Sequence, residues 1–387
     1  MNQAPLKICI LGRGNYGLLQ TRLQQLATFP TELHLVTLQP GEIDGCTVHT
    51  IRTPIPLGPL KYICAIPAIR KAISAIDPDV LDVHGMSTYG AYGLHPLKQY
   101  PYLATIYGPD LTMHARNYRL LAHMTRLCFR RAARIFSSTP TTLDVIREVC
   151  GLDCREKFVA RSWGIHTEIL LKDATARRRA IREEFGVPEG TRIVLHNRQF
   201  TPFWHIDQIL EAARALLARR SDLLFWFVCP VTNSMGKAFI EKKQNELASA
   251  GLGDRIVLHG PQEYERMISF MHASDLYLCM GTNDQLSSSI LEAMCCGLIP
   301  VLHDLPAYHE VIQHEANGYL VPRITPQILE QQLVEILDTF IHLRAQIAGP
   351  NRDKMISSYE ETICVNWLMD QYRAVKNAKE TLAISGG

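Results

Sequence analysis

The strongest constraint on this chain is a rhythm that runs through it twice. Short apolar runs alternate with stretches of helical periodicity. In the first half, residues 7–11, 32–38, 80–83, 102–106 and 134–136 read as strands, with helical patterns at 18–28 and 66–76. In the second half, strands are expected at 192–197, 223–228, 255–258, 276–279, 299–302 and 318–321. Helices fit 207–219, 237–250 and 288–295 there, and a last one fits 359–381. Strands that are apolar on both faces need cover on both, and helices placed between them supply it, so the alternation predicts parallel sheets. The expected fold class is α/β, with two Rossmann-like parallel-sheet domains facing a cleft. A chain of 387 residues is long enough for two cores. The expected domains are 1–168 and 169–358, followed by a C-terminal helix over 359–387.

Composition removes several function classes. The net charge is +2, so no single-sign field favours nucleic acid, and aromatic residues do not interleave with the basic ones. No apolar run approaches the roughly 20 residues of a membrane span. The start, MNQAPLK, leads directly into a strand pattern without a secretory apolar segment. A cytoplasmic protein is expected. The eleven cysteines are scattered without a C-x-x-C, and Cys9, Cys279 and Cys364 fall in buried-looking elements. Reduced, structural thiols are the reading.

The segment most specific for function is 284–318, DQLSSSILEAMCCGLIPVLHDLPAYHEVIQHEANG. Asp284 and Glu292 are separated by seven residues and straddle a serine-rich helix start, and a GLIPV strand follows. The first N–H groups of a helix lack partners and its dipole is positive there, so this start is suited to an anion. A diphosphate could rest on Ser287 and Ser288, with the two carboxylates accepting from sugar hydroxyls.

This stretch resembles the signature of retaining family 4 glycosyltransferases, of the glycogen-synthase-like and mannosyltransferase-like superfamily with the GT-B fold. Their pattern is Glu-x7-Glu, the second Glu lying in an EAM-x-x-G-x-P-V run, and EAMCCGLIPV matches it from Glu292 to Val301. The first acid here is Asp284, one methylene shorter. Leu286-Ser287-Ser288-Ser289 replaces the usual glycine-rich segment. The resemblance implies that Glu292 holds the donor ribose, that Asp284 orients the sugar, and that the last helix crosses back to the first domain.

Four further constellations bear on this reading. Gly12-Arg13-Gly14-Asn15-Tyr16-Gly17 satisfies G-x-G-x-x-G between a strand and a helix. Gln39 stands where an NAD site wants an acid, with Glu42 further on. The resemblance instead turns Gly14, Asn15 and Gly17 toward donor phosphate or acceptor, while a plain tight turn is the alternative. Asn197-Arg198 ends the first strand of the second domain. Relatives carry an Arg here and a Lys about five residues on; Arg198 matches, and His205 is the nearest basic group to the missing Lys, with Lys237 more distant. An Arg fork suits phosphate oxygens, whereas His is charged only part of the time. His84, after PDVLDV, and Asp110, in YGPD, resemble acceptor-side positions. A backbone-satisfied core histidine and a helix cap are the alternatives. The donor base is expected near His259-Gly260-Pro261.

Metal is not expected. Asp77-Pro78-Asp79 reads as a turn, and His309-Glu310 with His314 has one residue too many for a zinc helix. Finally, 111–134 holds six arginines, from Arg116 to Arg134, and no acid. Such a basic amphipathic segment fits peripheral contact with the inner face of an anionic membrane. A solvated face or a pocket for an anionic sugar fits it as well. The expectation is a metal-independent, cofactor-free, retaining glycosyltransferase moving a sugar from a nucleotide-diphosphate sugar to a hydroxyl acceptor. A degenerate nucleotide-sugar binder is the alternative, with an NAD oxidoreductase third.

Overall fold

The computed structural model describes residues 5–39, 41–53, 60–90, 100–229 and 234–385. The chain divides into two compact units, Met1–Gly164 with Glu361–Gly387, and Ile165–Glu360.

The first unit contains β1 (Leu6–Leu11), β2 (Thr31–Thr37), β3 (Thr47–Thr50), β4 (Val80–His84), β5 (Tyr102–Thr105), β6 (Arg134–Ser137) and β7 (Phe158–Ala160). They form one sheet in the order β3-β2-β1-β4-β5-β6-β7. Every pairing is parallel. All five residues of β4 are buried, as a strand covered on both faces must be. β3 and β7, absent from the sequence reading, are the two edges. TVHT and FVA are short and not buried, so they carry little apolar signal. Helix Glu361–Ser385 closes this unit: Val365, Leu368, Met369, Tyr372 and Val375 pack with Ile8, Ile10 and Leu19.

The second unit contains β8 (Arg192–His196), β9 (Leu223–Val228), β10 (Ile256–His259), β11 (Leu276–Cys279), β12 (Ile299–His303) and β13 (Tyr319–Val321). Its sheet runs β10-β9-β8-β11-β12-β13, again all parallel. A fully buried carboxylate, Asp275, anchors the start of β11. It accepts from Ile193 N at 2.9 Å, Arg178 Nη2 at 3.1 Å and Arg344 Nη1 at 3.0 Å. These bonds satisfy a charge that would otherwise be costly to bury, and they dock the arginine-rich helix Ala174–Glu184. The two parallel Rossmann-like sheets are those the alternation predicts.

Strand order reverses between β1 and β4 in the first unit and between β8 and β11 in the second. Loops leaving the carboxyl ends of strands at such a reversal diverge and open a crevice. The sequence places Gly12–Gly17 after β1, His84 at the end of β4, Asn197-Arg198 after β8 and 280–287 after β11. Each sheet thus delivers its candidate residues to its own reversal point.

Candidate active site

In the second unit the site is built on helix Ser288–Cys295. Ser287 is its N-cap in extended backbone, but its side chain makes no capping bond; its Oγ lies 3.2 Å from Ser289 Oγ instead. The first-turn N–H groups are therefore not covered by that side chain. At the other end Gly297 has φ +83, with Gly297 N bonding Met294 O and Leu298 N bonding Ala293 O. This glycine-dependent stop turns the chain at once into β12, which is why the EAMCCGLIPV run yields a short helix and then a buried strand.

Arg198 reaches this helix from the end of β8. Its Nη1 donates to Ser289 Oγ at 3.0 Å and its Nη2 to Asp284 Oδ2 at 3.1 Å. Its guanidinium lies over the Trp204 ring, 4.3 Å from the centroid. Tyr277 OH donates to Asn197 Oδ1 at 2.7 Å and lies 3.0 Å from Ser289 Oγ, which ties β11 to the same group. Asp284 also accepts from Tyr308 OH at 3.1 Å and from its neighbour's N–H, Gln285 N, at 2.9 Å. Burial pushes the Asp284 carboxyl up, and Arg198 and Tyr308 pull it back. Burial opposes the charge on Arg198, yet Asp284 holds its pKa above the ordinary value.

Glu292 stands one turn into the helix and accepts from Tyr264 OH at 3.0 Å. Burial raises its pKa, and the Tyr264 bond lowers it. The serine-rich helix start thus has an Arg–Asp pair on one side and a carboxylate held by a phenol beyond it. Leu286, in the connecting loop, is buried and packs in the core.

His205 occupies the place of the missing lysine in a left-handed conformation, φ +53. Its Nε2 lies 3.2 Å from Thr282 Oγ1. Burial and the nearby His303 lower its pKa, which disfavours its charged form. Lys237 lies exposed on helix Ser234–Ser249. The His259 ring turns into an aromatic cluster, 4.8 Å from Phe185 and 4.7 Å from Phe270 by centroid, and burial pushes its pKa down to about 4. Gly260 and Pro261 are exposed.

In the first unit, Gly14 N donates to Thr37 Oγ1 at 3.1 Å, which fixes the glycine loop to β2. Asn15 is exposed, and Gly17 opens helix Gly17–Ala27. Gln39, in the place of an NAD-binding acid, accepts from Tyr89 OH at 2.8 Å and from Thr37 Oγ1 at 3.1 Å. His84 is buried: Nδ1 lies 2.6 Å from Tyr107 OH, and Nε2 lies 3.0 Å from Asp82 Oδ2 without the geometry of a hydrogen bond. Asp82 also accepts from Thr105 Oγ1 and Tyr372 OH, each at 2.7 Å. Asp110 accepts from Ser87 Oγ at 2.7 Å and from Tyr107 N at 3.3 Å. His84 and Asp110 are thus joined through Tyr107, which ties the end of β4 to the helical turn Asp110–Ala115.

Sequence reasoning missed Trp204, Tyr264, Tyr308 and Asp82. None belongs to a spaced motif: Trp204, Tyr264 and Tyr308 reach a motif residue from another element, and Asp82 lies beside His84 within β4. Among the described residues, no group of three or more His, Cys, Asp or Glu could hold a metal ion. No described helix is long and apolar enough to cross a membrane.

Two family models match the chain: "Glycosyl transferases group 1" over residues 177–356 and "Glycosyl transferase 4-like" over residues 7–139. Both matches are to glycosyl transferase models, one in each unit. Among curated relatives, the D-inositol 3-phosphate glycosyltransferase of Thermobispora bispora is 24% identical over 46% of this chain and 42% of its own length. The N-acetyl-alpha-D-glucosaminyl L-malate synthase of Bacillus anthracis is 23% identical over 51% of each. The chain thus spans about half the length of these curated relatives. The crystal structure of Anabaena HepE in complex with UDP superposes with a TM-score of 0.79 at 14% identity, covering 95% of this chain and 100% of the other. That likeness bears on the fold, which is of the GT-B class.

Proposed function

We propose that this glycosyl transferase moves a sugar from a nucleotide-diphosphate sugar to a hydroxyl acceptor with retention at the anomeric carbon. One observation carries the reading: the open start of helix Ser288–Cys295 is flanked by Arg198 with Asp284 and, one turn on, by Glu292. Glu292 accepts from the donor ribose. Arg198 and the backbone at Ser287 and Ser288 meet the diphosphate, whose charge grows as the glycosidic bond breaks, so their effect is greatest in the transition state. Asp284 orients the sugar, and the base lies near Gly260 and Pro261. The leaving diphosphate takes the acceptor's proton on the same face. Arg198 and the helix terminus supply the positive field without a metal. The Anabaena neighbour was solved with UDP, a ligand of the class proposed here.

The test is calorimetric titration with UDP, GDP, ADP and TDP, followed by their sugars with an acceptor panel. Glu292→Ala is expected to weaken nucleotide binding at least tenfold, about 1.4 kcal/mol. Unchanged affinity in the folded variant refutes the site. A nucleotide-sugar binder without turnover is the second reading, favoured by the missing lysine, whose nearest basic neighbour is His205 with its charged form disfavoured. Tight donor binding with no nucleotide release across the acceptor panel would select it.

The acceptor side is assigned contact with anionic lipid. Met113, Tyr118 and Leu120 are exposed by 52%, 61% and 72%, and exposed Arg116 and Arg119 stand among them. Apolar tips ringed by arginines match an anionic headgroup layer. Flotation with phosphatidylglycerol vesicles should exceed that with neutral vesicles and should fall in Leu120→Glu. Equal flotation on both vesicle types refutes the assignment.

A further inference from the structure

Glu292 is held in an unusual way for a half-buried carboxylate. Among the described residues no Lys or Arg lies within ion-pair distance of it. Its recorded side-chain partner is the phenol of Tyr264, the first residue of helix Tyr264–Ala273. Tyr264 follows the Gly260-Pro261 loop by three residues, and its side chain is 45% exposed. It is thus partly open to solvent, with its hydroxyl donating to Glu292.

A carboxylate offers about four lone-pair sites, and Tyr264 takes one. The remainder can accept two hydroxyl hydrogens on adjacent carbons, the pattern a ribose presents. A neutral donor fixes the carboxylate without cancelling its charge, whereas a cation would compete with the sugar. We propose that Tyr264 is a positioning residue for the nucleotide's ribose, setting Glu292 in the orientation that accepts both ribose hydroxyls. The proposal rests on the reading of Glu292 as the ribose carboxylate. It adds a determinant of ribose over deoxyribose that lies outside the Asp-x7-Glu motif. The balance at Glu292 agrees with it: burial raises the carboxyl's pKa, and the Tyr264 bond lowers it more than the charge of Arg198 does.

The experiment uses the intact chain and calorimetric titration from pH 5 to pH 8. UDP, GDP and ADP are the probes, and the tightest is compared with its 2′-deoxy form. Wild type, Tyr264→Phe and Glu292→Gln are measured. Tyr264→Phe removes one oxygen from a partly exposed side chain and keeps the ring. It should weaken ribonucleotide binding about fivefold, the effect of one ordinary hydrogen bond, and the 2′-deoxy nucleotide less. The ribo/deoxy ratio therefore falls. The acidic limb of binding moves to higher pH, because Glu292 without its phenol donor takes a proton more readily. If Tyr264→Phe keeps the wild-type ratio and pH limb while Glu292→Gln loses tenfold or more, the inference is overturned and the ribose reading stands. If Glu292→Gln binds like wild type, or no probe binds wild type, the ribose reading fails and this inference with it.

Discussion

Removing Arg198 should strand Asp284, and the consequence can be worked from the contacts. The pair meets at 3.1 Å, with side chains 22% and 14% exposed. Breaking a fully buried pair by deleting one partner costs about 3–5 kcal/mol. Here Asp284 keeps Tyr308 OH and Gln285 N as neutral donors and has some access to water, so Arg198→Ala should cost about 2–3 kcal/mol at pH 7. Asp284→Asn should cost about 1–2 kcal/mol, because Arg198 keeps Ser289 and the Trp204 face. The double variant should then lie about 1–2 kcal/mol above additivity in stability. The pH dependence has a definite sign. Burial already raises the Asp284 carboxyl, and loss of Arg198 raises it further. A carboxyl whose folded pKa exceeds its unfolded value carries no penalty below the unfolded value. The penalty grows as pH rises toward the folded pKa and is full above it. The Arg198→Ala loss should therefore shrink between pH 7 and pH 4.5. Urea denaturation followed by circular dichroism at both pH values measures this. A cycle additive within about 0.5 kcal/mol, or a loss equal at the two pH values, would refute the pairing as the source of the effect.

Two further outcomes follow from the packing. A Cβ on Gly281 would clash with the Trp204 ring, so Gly281→Ala should displace the ring on which Arg198 rests. The expected cost is about 1–3 kcal/mol of stability, with turnover falling more than nucleotide affinity; unaltered thermal stability would contradict it. His196 is buried, with Nδ1 3.0 Å from Leu278 O, and burial pushes its pKa down to about 4. A histidine depressed in the folded state contributes stability above its unfolded pKa near 6.5 that is lost as pH falls toward 4, on the order of 3 kcal/mol at full effect. The melting temperature should fall on that acid limb, and His196→Gln should flatten it. An NMR titration placing His196 near 6.5 would refute the claim.

The parallel sheets were legible because central strands such as β9 and β11 are nearly all apolar. Edge strands β3 and β7 were not legible, because a strand paired on one side and half exposed needs no such run. Helix Ser288–Cys295 was readable to its last residue, because Gly297 supplies the left-handed stop and Ser287 the extended start. Arg198 and the two acids were legible by spacing along the chain. What spacing could not show was mutual pairing: Arg198 and Asp284, taken separately as phosphate clamp and sugar orienter, are each other's partners. Nor could it show that the His259 ring packs inward against Phe185 and Phe270. Tyr264, Tyr308 and Trp204 come from elements distant in sequence, and an unmotivated aromatic residue reads as core until its hydroxyl or ring face is seen to meet a charge.

A crystal structure of the chain soaked with the nucleoside diphosphate that binds tightest tests the central claim most directly. The account predicts a diphosphate at the amino end of helix Ser288–Cys295, within hydrogen-bond reach of Arg198, and ribose hydroxyls on the Glu292 carboxylate. A nucleotide seated elsewhere, or a ribose with no contact to Glu292, would contradict it.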